Sequence, residues 1–179
     1  MLLLSLLLAF VQAQPANPTG TAVLAFRHRV ADYIKVHNEA EGKVPNLKET
    51  NDPAKVSGRE AALGEMIRSL RPQAKEGDVF GADFRKVLER EVRHDFQKRS
   101  AVDRKAIVQE LPANVKLAVN QTYPTTLPLA TFPAKLLNRL PDLPPELEYR
   151  IVDHHIVLRD VKANIVVDIV RGIVPTIPS

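Results

Sequence analysis

Residues Leu147–Val170 read LEYRIVDHHIVLRDVKANIVVDIV. Apolar residues alternate at Leu147, Tyr149 and Ile151, resume at Ile156 and Leu158, and recur at Ile165, Val167 and Ile169. Branched and aromatic side chains at period two suit a pleated surface, so the spacing predicts three strands. The gaps between them are short, with bends at Asp153-His154 and over Val161 to Asn164, which makes an antiparallel meander. An alternating sheet needs one covered face. Ile156, Leu158, Ile165 and Val167 are therefore expected to pack on the rest of the chain.

The first bend carries two adjacent histidines. Neighbouring residues on a strand point to opposite faces, so an imidazole pair there rarely chelates one ion. A turn relaxes that limit, and Asp153 would add an oxygen ligand suited to zinc, nickel or copper. A structural zinc site wants four ligands and a catalytic one three plus water. Only Asp153 and the pair are local. Asp and His also tolerate the positive φ of a tight turn. Asp153-His154-His155 is expected to be a solvated hairpin tip, and no metal ligand is assigned.

Upstream, the period changes to that of helices. Val23, Phe26, Val30, Tyr33 and Ile34 form one stripe from Thr21 onward, after a polar, proline-bearing lead over Gln14 to Gly20. Asp52-Pro53 is an N-cap followed by a first-turn proline, and Leu63, Met66, Ile67 and Leu70 continue that helix until Pro72 closes it. Phe84, Val87, Leu88, Val92 and Phe96 predict a third helix over roughly Ala82 to Lys98. Ser100 to Asp103 has the spacing of a capping box and opens a fourth helix, stopped by Pro112. Seven of the fourteen prolines fall between Pro112 and Pro145, which argues against long helices there. Within that stretch VKLAVNQTYP, residues 115–124, alternates like a strand, and FPAKLLNRL, residues 132–140, suits a helical turn or two. The expected fold is α+β: three to four N-terminal amphipathic helices packed with a small C-terminal antiparallel β-meander. The expected organisation is a leader over 1–13, a helical region over 14–112, and a Pro-rich connection with the meander over 113–179, with 14–179 as one domain.

The chain has 179 residues, no Cys, no Trp and 5% aromatic residues, so its core is expected to be aliphatic. Without cysteine, disulfide frameworks, thiol nucleophiles and Cys-ligated metals are excluded. The charge is +4 and the pI near 9.4, a mildly basic balance. The opening run MLLLSLLLAFV is uncharged and shorter than the roughly 20 residues that span a bilayer. With Val11 and Ala13 at the −3 and −1 positions it matches a secretory leader cleaved after Ala13, although no Lys or Arg precedes it. The expected location is periplasmic or extracellular, with no transmembrane span in the mature chain.

The segment Leu143 to Arg150, Leu-Pro-Pro-Glu-Leu-Glu-Tyr-Arg, is followed by Leu-Arg-Asp-Val at Leu158 to Val161, Ala163-Asn164 and Asp168. This tail resembles that of a family of uncharacterised exported bacterial proteins, and ADYIKVHN, EGDVF and FRKVL in the helical half are similar to the same family. The resemblance implies export and an α+β build, and it implies no activity. The tail is also distantly similar to the terminal hairpin of periplasmic nickel/cobalt-homeostasis proteins. Both groups often place Gly at the turn, where this chain has Asp153-His154-His155.

Catalytic groupings are sparse. His28 and Asp32 are four apart and share a helix face, but no His-Glu-x-x-His motif accompanies them, and His37 is on the opposite face of the same helix. Beyond the leader the serines are Ser57, Ser69, Ser100 and Ser179, and none sits in a nucleophile elbow. Glu39/Glu41 and Glu89/Glu91 are two apart and do not face each other on a helix. Asp52 lies near Glu49, while Glu60 and Glu65 read as helix-surface residues. The glycines form no phosphate-cradling loop. The basic stretch is more informative. Arg85, Lys86, Arg90, Arg93, Lys98, Arg99, Arg104 and Lys105 stand against Glu89, Glu91, Asp95 and Asp103, a net +4 over residues 84–105. That helix is the expected contact for a protein or an anionic envelope component. Nucleic acid is not an expected partner, since no aromatic residues interleave the charges. The sequence thus reads as a non-enzymatic exported interaction protein with no cofactor and no assignable catalytic residue. The alternatives are a periplasmic metal-binding or metal-response protein and a hydrolase with an unrecognised site.

Overall fold

The computed structural model describes residues 17–110, 115–125 and 132–175. The expected leader and cleavage site, Pro112 and Ser179 lie outside the described residues. Five helices precede a three-stranded antiparallel sheet, an α+β fold. Helix α1 spans Pro18–Lys43, α2 Pro53–Leu70, α3 Gly81–Lys98, α4 Ala101–Glu110 and α5 Ala134–Leu137. Strands β1 (Leu147–Val152), β2 (His155–Asp160) and β3 (Ile165–Val170) follow in the order β1-β2-β3. No helix among the described residues is long and apolar enough to cross a membrane.

Local chemistry accounts for most boundaries. Asp52 Oδ1 accepts from Ala54 N at 3.0 Å, with Pro53 in the first turn. Ser100 Oγ accepts from Asp103 N at 3.0 Å, the serine half of the expected box. The start of α1 differs from the sequence reading. Pro18, Thr19 and Gly20 belong to the helix and not to the lead, whose residues 14–16 lie outside the described residues. Asn17 caps the helix from Pro18, its Oδ1 accepting from Thr19 N at 3.1 Å and Gly20 N at 3.3 Å. This repeats the Asp52-Pro53 device with Asn in place of Asp.

Helix α1 packs against both α2 and α3. The core is mostly aliphatic, as composition requires, but the centre of this interface is aromatic. Phe26 stacks on Phe84 at 4.0 Å between ring centroids and on Phe80 at 5.9 Å, and Tyr149 of β1 lies 6.4 Å from Phe26. Few aromatics suffice because they are concentrated: Phe26, Phe80, Phe84, Phe96 and Phe132 are all buried. Each large ring removes much apolar area from water.

The sheet is covered on both faces. Leu147, Tyr149, Ile151, Ile156, Leu158, Ile165 and Val167 join the helical core, as the alternation requires. Val152, Val157, Val166 and Ile169 meet Leu117 and Tyr123 on the opposite face. The second cover is the segment 115–123, expected as a strand. It forms a single bridge instead, Thr122 with Ile165. Asn120 adopts a positive φ of 64°, which breaks the extension. The segment is held edge-on to β3 by Asn120 N donating to Val166 O at 2.8 Å and Tyr123 N to Asn164 O at 2.8 Å.

One expected strand face is split by a bulge. Leu158 pairs with Asp168, but Arg159 pairs with Val166, which leaves Val167 as the extra residue. A bulge places two successive residues on one side. Ile165 and Val167 therefore share the helical face as expected, and Ile169 is turned to the other one. Asp168 takes the place on the helical side.

The first hairpin bends where expected, but its histidines have partners. The two-residue turn is Asp153-His154, and Asp153 carries the positive φ of 53°. His155 is the first residue of β2, paired with Val152. His154 is at the tip and both imidazoles are partly exposed, but neither is free. His154 Nδ1 lies 3.0 Å from Val174 O, and His155 Nδ1 accepts from Gly172 N at 3.1 Å. Both imidazoles tie down the segment after β3. An Asn-Gly exchange at 154–155 would put glycine into a strand and remove both ties, so it should lower the melting temperature. Asp153→Gly should hold or raise it by up to about 1 kcal/mol of stability, because glycine adopts positive φ without strain. Circular dichroism melts of the two variants would separate these outcomes.

Candidate functional site

Buried polar groups are the first place to look for chemistry. The most concentrated assembly lies where α1 meets the β2–β3 turn. Tyr33 Oη donates to Asp160 Oδ2 at 2.7 Å, and His37 Nδ1 lies 2.6 Å from the same oxygen. Since Oδ2 already receives the tyrosine proton, the histidine contact requires a proton on Nδ1. Asp160 Oδ1 accepts from Ala163 N at 2.8 Å and so closes the turn. Burial, with Asp160 beside it, pushes the Tyr33 phenol well above its ordinary pKa, so Tyr33 remains a donor. The Arg71 guanidinium sits 4.9 Å above its ring. A carboxyl, an imidazole and a phenol in contact would suit acid–base work, but His37 and Asp160 are both 0% exposed. Both lie inside the fold, where the group clamps α1 to the sheet. His37 Nε2 is buried without a hydrogen-bond partner and lies 3.7 Å from Glu41 Oε2.

Asp168, re-aimed by the bulge, makes a second clamp. Its Oδ1 accepts from Gly77 N and Ile169 N, each at 2.7 Å, and its Oδ2 from Val79 N at 2.8 Å and Phe80 N at 2.7 Å. Burial raises the carboxyl above its usual pKa against the pull of these four donors. The same loop is gripped from α1 by Arg29, whose Nε and Nη2 donate to Val79 O at 2.7 Å and Phe80 O at 2.8 Å. Gly81 follows with φ 70°, and a Cβ there would collide with the Arg29 guanidinium. These contacts fix where α3 begins.

The remaining polar residues of the tail are likewise engaged in contacts within the fold. Glu148 faces Arg159 across the hairpin, 2.7 Å from its Nη1, and accepts from Arg150 Nη2 at 2.7 Å. Burial would raise its pKa, but the two arginines outweigh burial and hold it low. Arg159 also donates to Asn164 Oδ1 and lies over the Tyr123 ring. Asn164 takes the positive φ of 49° in the second turn. Tyr149 Oη donates to Pro141 O at 3.1 Å.

The groupings singled out from the sequence stay apart. His28 and Asp32 are exposed on α1, and Asp32 pairs with Lys35 at 2.8 Å. Glu39 pairs with Lys43, Glu41 with Arg59 and Lys162, Glu65 with Arg68, and Glu89 with Arg85. Ser69 Oγ donates to Met66 O, Ser100 caps α4, and Ser57 is exposed. Among the described residues no three His, Asp or Glu side chains converge in a way that would hold a metal ion.

The basic stretch forms a surface with relief. Its apolar side, Phe84, Val87, Leu88, Val92 and Phe96, is buried, which leaves Arg85, Lys86, Arg90 and Arg93 exposed on the other side of α3, with Lys98 exposed at its C-terminal end. At its C-terminal end α3 meets α5. Between them is a cavity of about 420 Å³ lined by His94, Asp95, Lys98, Arg99 and Asp103 on one side and Lys135, Asn138 and Arg139 on the other. Sequence reasoning found the α3 charges but not the α5 ones, which lie some 40 residues further along the chain. A groove of about 520 Å³ runs beside β1, between Phe132, Leu137, Leu143 and Tyr149. In comparisons with family models, curated proteins and solved structures, nothing matches this chain.

Proposed function

We propose that the mature chain is exported and acts by contact, without turnover, on an anionic component of the cell envelope. The observation that carries this reading is the exposed basic side of α3, where Arg85, Lys86, Arg90 and Arg93 project while the buried stripe anchors the helix. Local carboxylates offset part of the charge: Arg85 pairs with Glu89, Lys86 with Asp83 and Arg90 with Glu91. Such exposed pairs are weak and exchange readily for an external anion.

Co-sedimentation with vesicles tests the contact. The protein should bind vesicles containing phosphatidylglycerol and leave phosphatidylcholine vesicles alone. Binding should fall as salt rises, because exposed charges are screened within about 8 Å at physiological ionic strength. A basic residue near an anionic surface contributes about 1 kcal/mol. The combined change Arg85→Gln, Lys86→Gln, Arg90→Gln and Arg93→Gln should therefore weaken binding at least about tenfold at low salt. Equal binding by this variant would refute the reading. Mass spectrometry of the native protein should find an N-terminus at Gln14, and recovery of intact Met1 from the cytosol would refute export.

A further inference from the structure

We propose that the cavity between α3 and α5 binds a phosphomonoester carried on a small hydroxylated body; this rests on the contact reading and names the ligand class of its concave end. The first reason is which cations remain available there. Arg99 is occupied by Asp95, with contacts at 2.5 and 3.2 Å. Arg139 Nη1 is engaged by Glu91 Oε2 at 2.9 Å and by His94 Nδ1. The Arg99 fork, the group best matched to a planar carboxylate, is thus taken, and Arg139 is held through one of its nitrogens. Lys98 from the end of α3 and Lys135 from α5 face the cavity from its two walls, and among the described residues neither has a carboxylate partner. Two ammonium point charges on opposite walls suit a compact anion with several equivalent oxygens, which is the chemistry of a phosphoryl group.

The second reason is charge balance. Lys98, Arg99, Lys135 and Arg139 against Asp95 and Asp103 leave a lining of +2, one charge of which is offset by Glu91 beside it on Arg139. A phosphomonoester carries nearly two negative charges at neutral pH. A concave wall of one sign concentrates the field and favours the counter-ion. The third reason is the remaining space and its polar groups. About 420 Å³ is within the size of small-ligand pockets and exceeds a bare phosphate. Asp103 has no ion-pair partner among the described residues, and Asn138 lies on the opposite wall. An acceptor carboxylate and an amide beside a phosphoryl site would receive hydroxyl groups.

Calorimetric titration of the purified mature protein with glycerol 3-phosphate, inorganic phosphate and glycerol tests this. Glycerol 3-phosphate should bind one-to-one and tighter than inorganic phosphate, and glycerol should not bind. Lys98→Gln with Lys135→Gln should weaken binding at least tenfold. Lys48→Gln with Lys55→Gln, the same loss of charge on another surface, should leave it unchanged. Asp103→Asn should narrow the preference for glycerol 3-phosphate over inorganic phosphate. Absence of saturable binding, or equal losses in the two lysine pairs, would overturn the inference. The vesicle assay separates the two proposals. Anionic vesicles bound equally by wild type and the Lys98/Lys135 variant, with no glycerol 3-phosphate bound, would overturn the cavity and leave the contact reading standing. Glycerol 3-phosphate bound without vesicles would support the cavity and overturn contact with a lipid surface.

Discussion

Asp168→Ala is expected to lower the thermal midpoint by about 10 °C. The wild-type side chain accepts from Gly77 N, Val79 N, Phe80 N and Ile169 N, and removal leaves these donors with nothing to replace it. Each buried donor left unsatisfied costs about 1–3 kcal/mol. Gly77 is part-buried and will recover water, and the native state regains some of the cost of burying the carboxyl, so a net loss of about 4 kcal/mol is expected. At roughly 2–4 °C per kcal/mol for a chain of this size, that gives the shift stated. It is a large share of the roughly 5–15 kcal/mol by which domains are stable. Asp168→Asn keeps one acceptor oxygen and should lose less. The loss should also be local before it is global: hydrogen exchange at Val79 and Phe80 should speed up most, because the loop that starts α3 is what the carboxyl holds. A melt within about 2 °C of wild type would refute this role.

Ile165→Asp is expected to unfold the protein. Ile165 is 1% exposed, at the point where β3 meets α2. The substitution loses the buried side chain and leaves an unpaired charge in its place, a cost of several kcal/mol on each count. The same contact can be probed from the other side. A Cβ built on Gly64 would lie 3.0 Å from Ile165 Cγ2 and 3.1 Å from the Ala163 carbonyl oxygen. In an isolated helix Gly→Ala gains about 1 kcal/mol, but here overpacking costs typically 1–3 kcal/mol, so Gly64→Ala should destabilise. A folded, cooperatively melting Ile165→Asp protein, or a stabilised Gly64→Ala protein, would refute this packing.

These expectations divide the residues by how far their determinants lie along the chain. Asp52-Pro53, Ser100 and the stripe from Phe84 to Phe96 act within one or two helical turns, and their elements were legible in the sequence. Asn17-Pro18 carries the same signal as Asp52-Pro53 and was readable too, but the proline-bearing lead masked it. The continuous apolar run of β3 was also informative: Ile165, Val166 and Val167 with Ile169 and Val170 leave no polar face, as fits a strand covered on both sides. What hid the second cover is that residues 115–123 alternate like a strand while Asn120 turns them.

The candidate site was half legible. The α3 charges are a local run, whereas Lys135 and Arg139 join them only because α5 docks on α3. Likewise, the histidine pair looked exposed because its partners, Gly172 and Val174, follow after a whole strand.

By itself, the sequence determined the α+β class, the order of elements, both hairpin turns and the basic character of one helix. These follow from residue period, caps and turn chemistry, all of which act between near neighbours. Only the tertiary structure decided that Asp160 clamps Tyr33 and His37 across 127 and 123 residues, and that a bulge aims Asp168 at a loop 88 to 91 residues earlier. The physical reason is that a side chain's chemistry depends on its burial and partners. A carboxyl that would be an ordinary surface charge in an isolated strand becomes a structural clamp once the helices close over it.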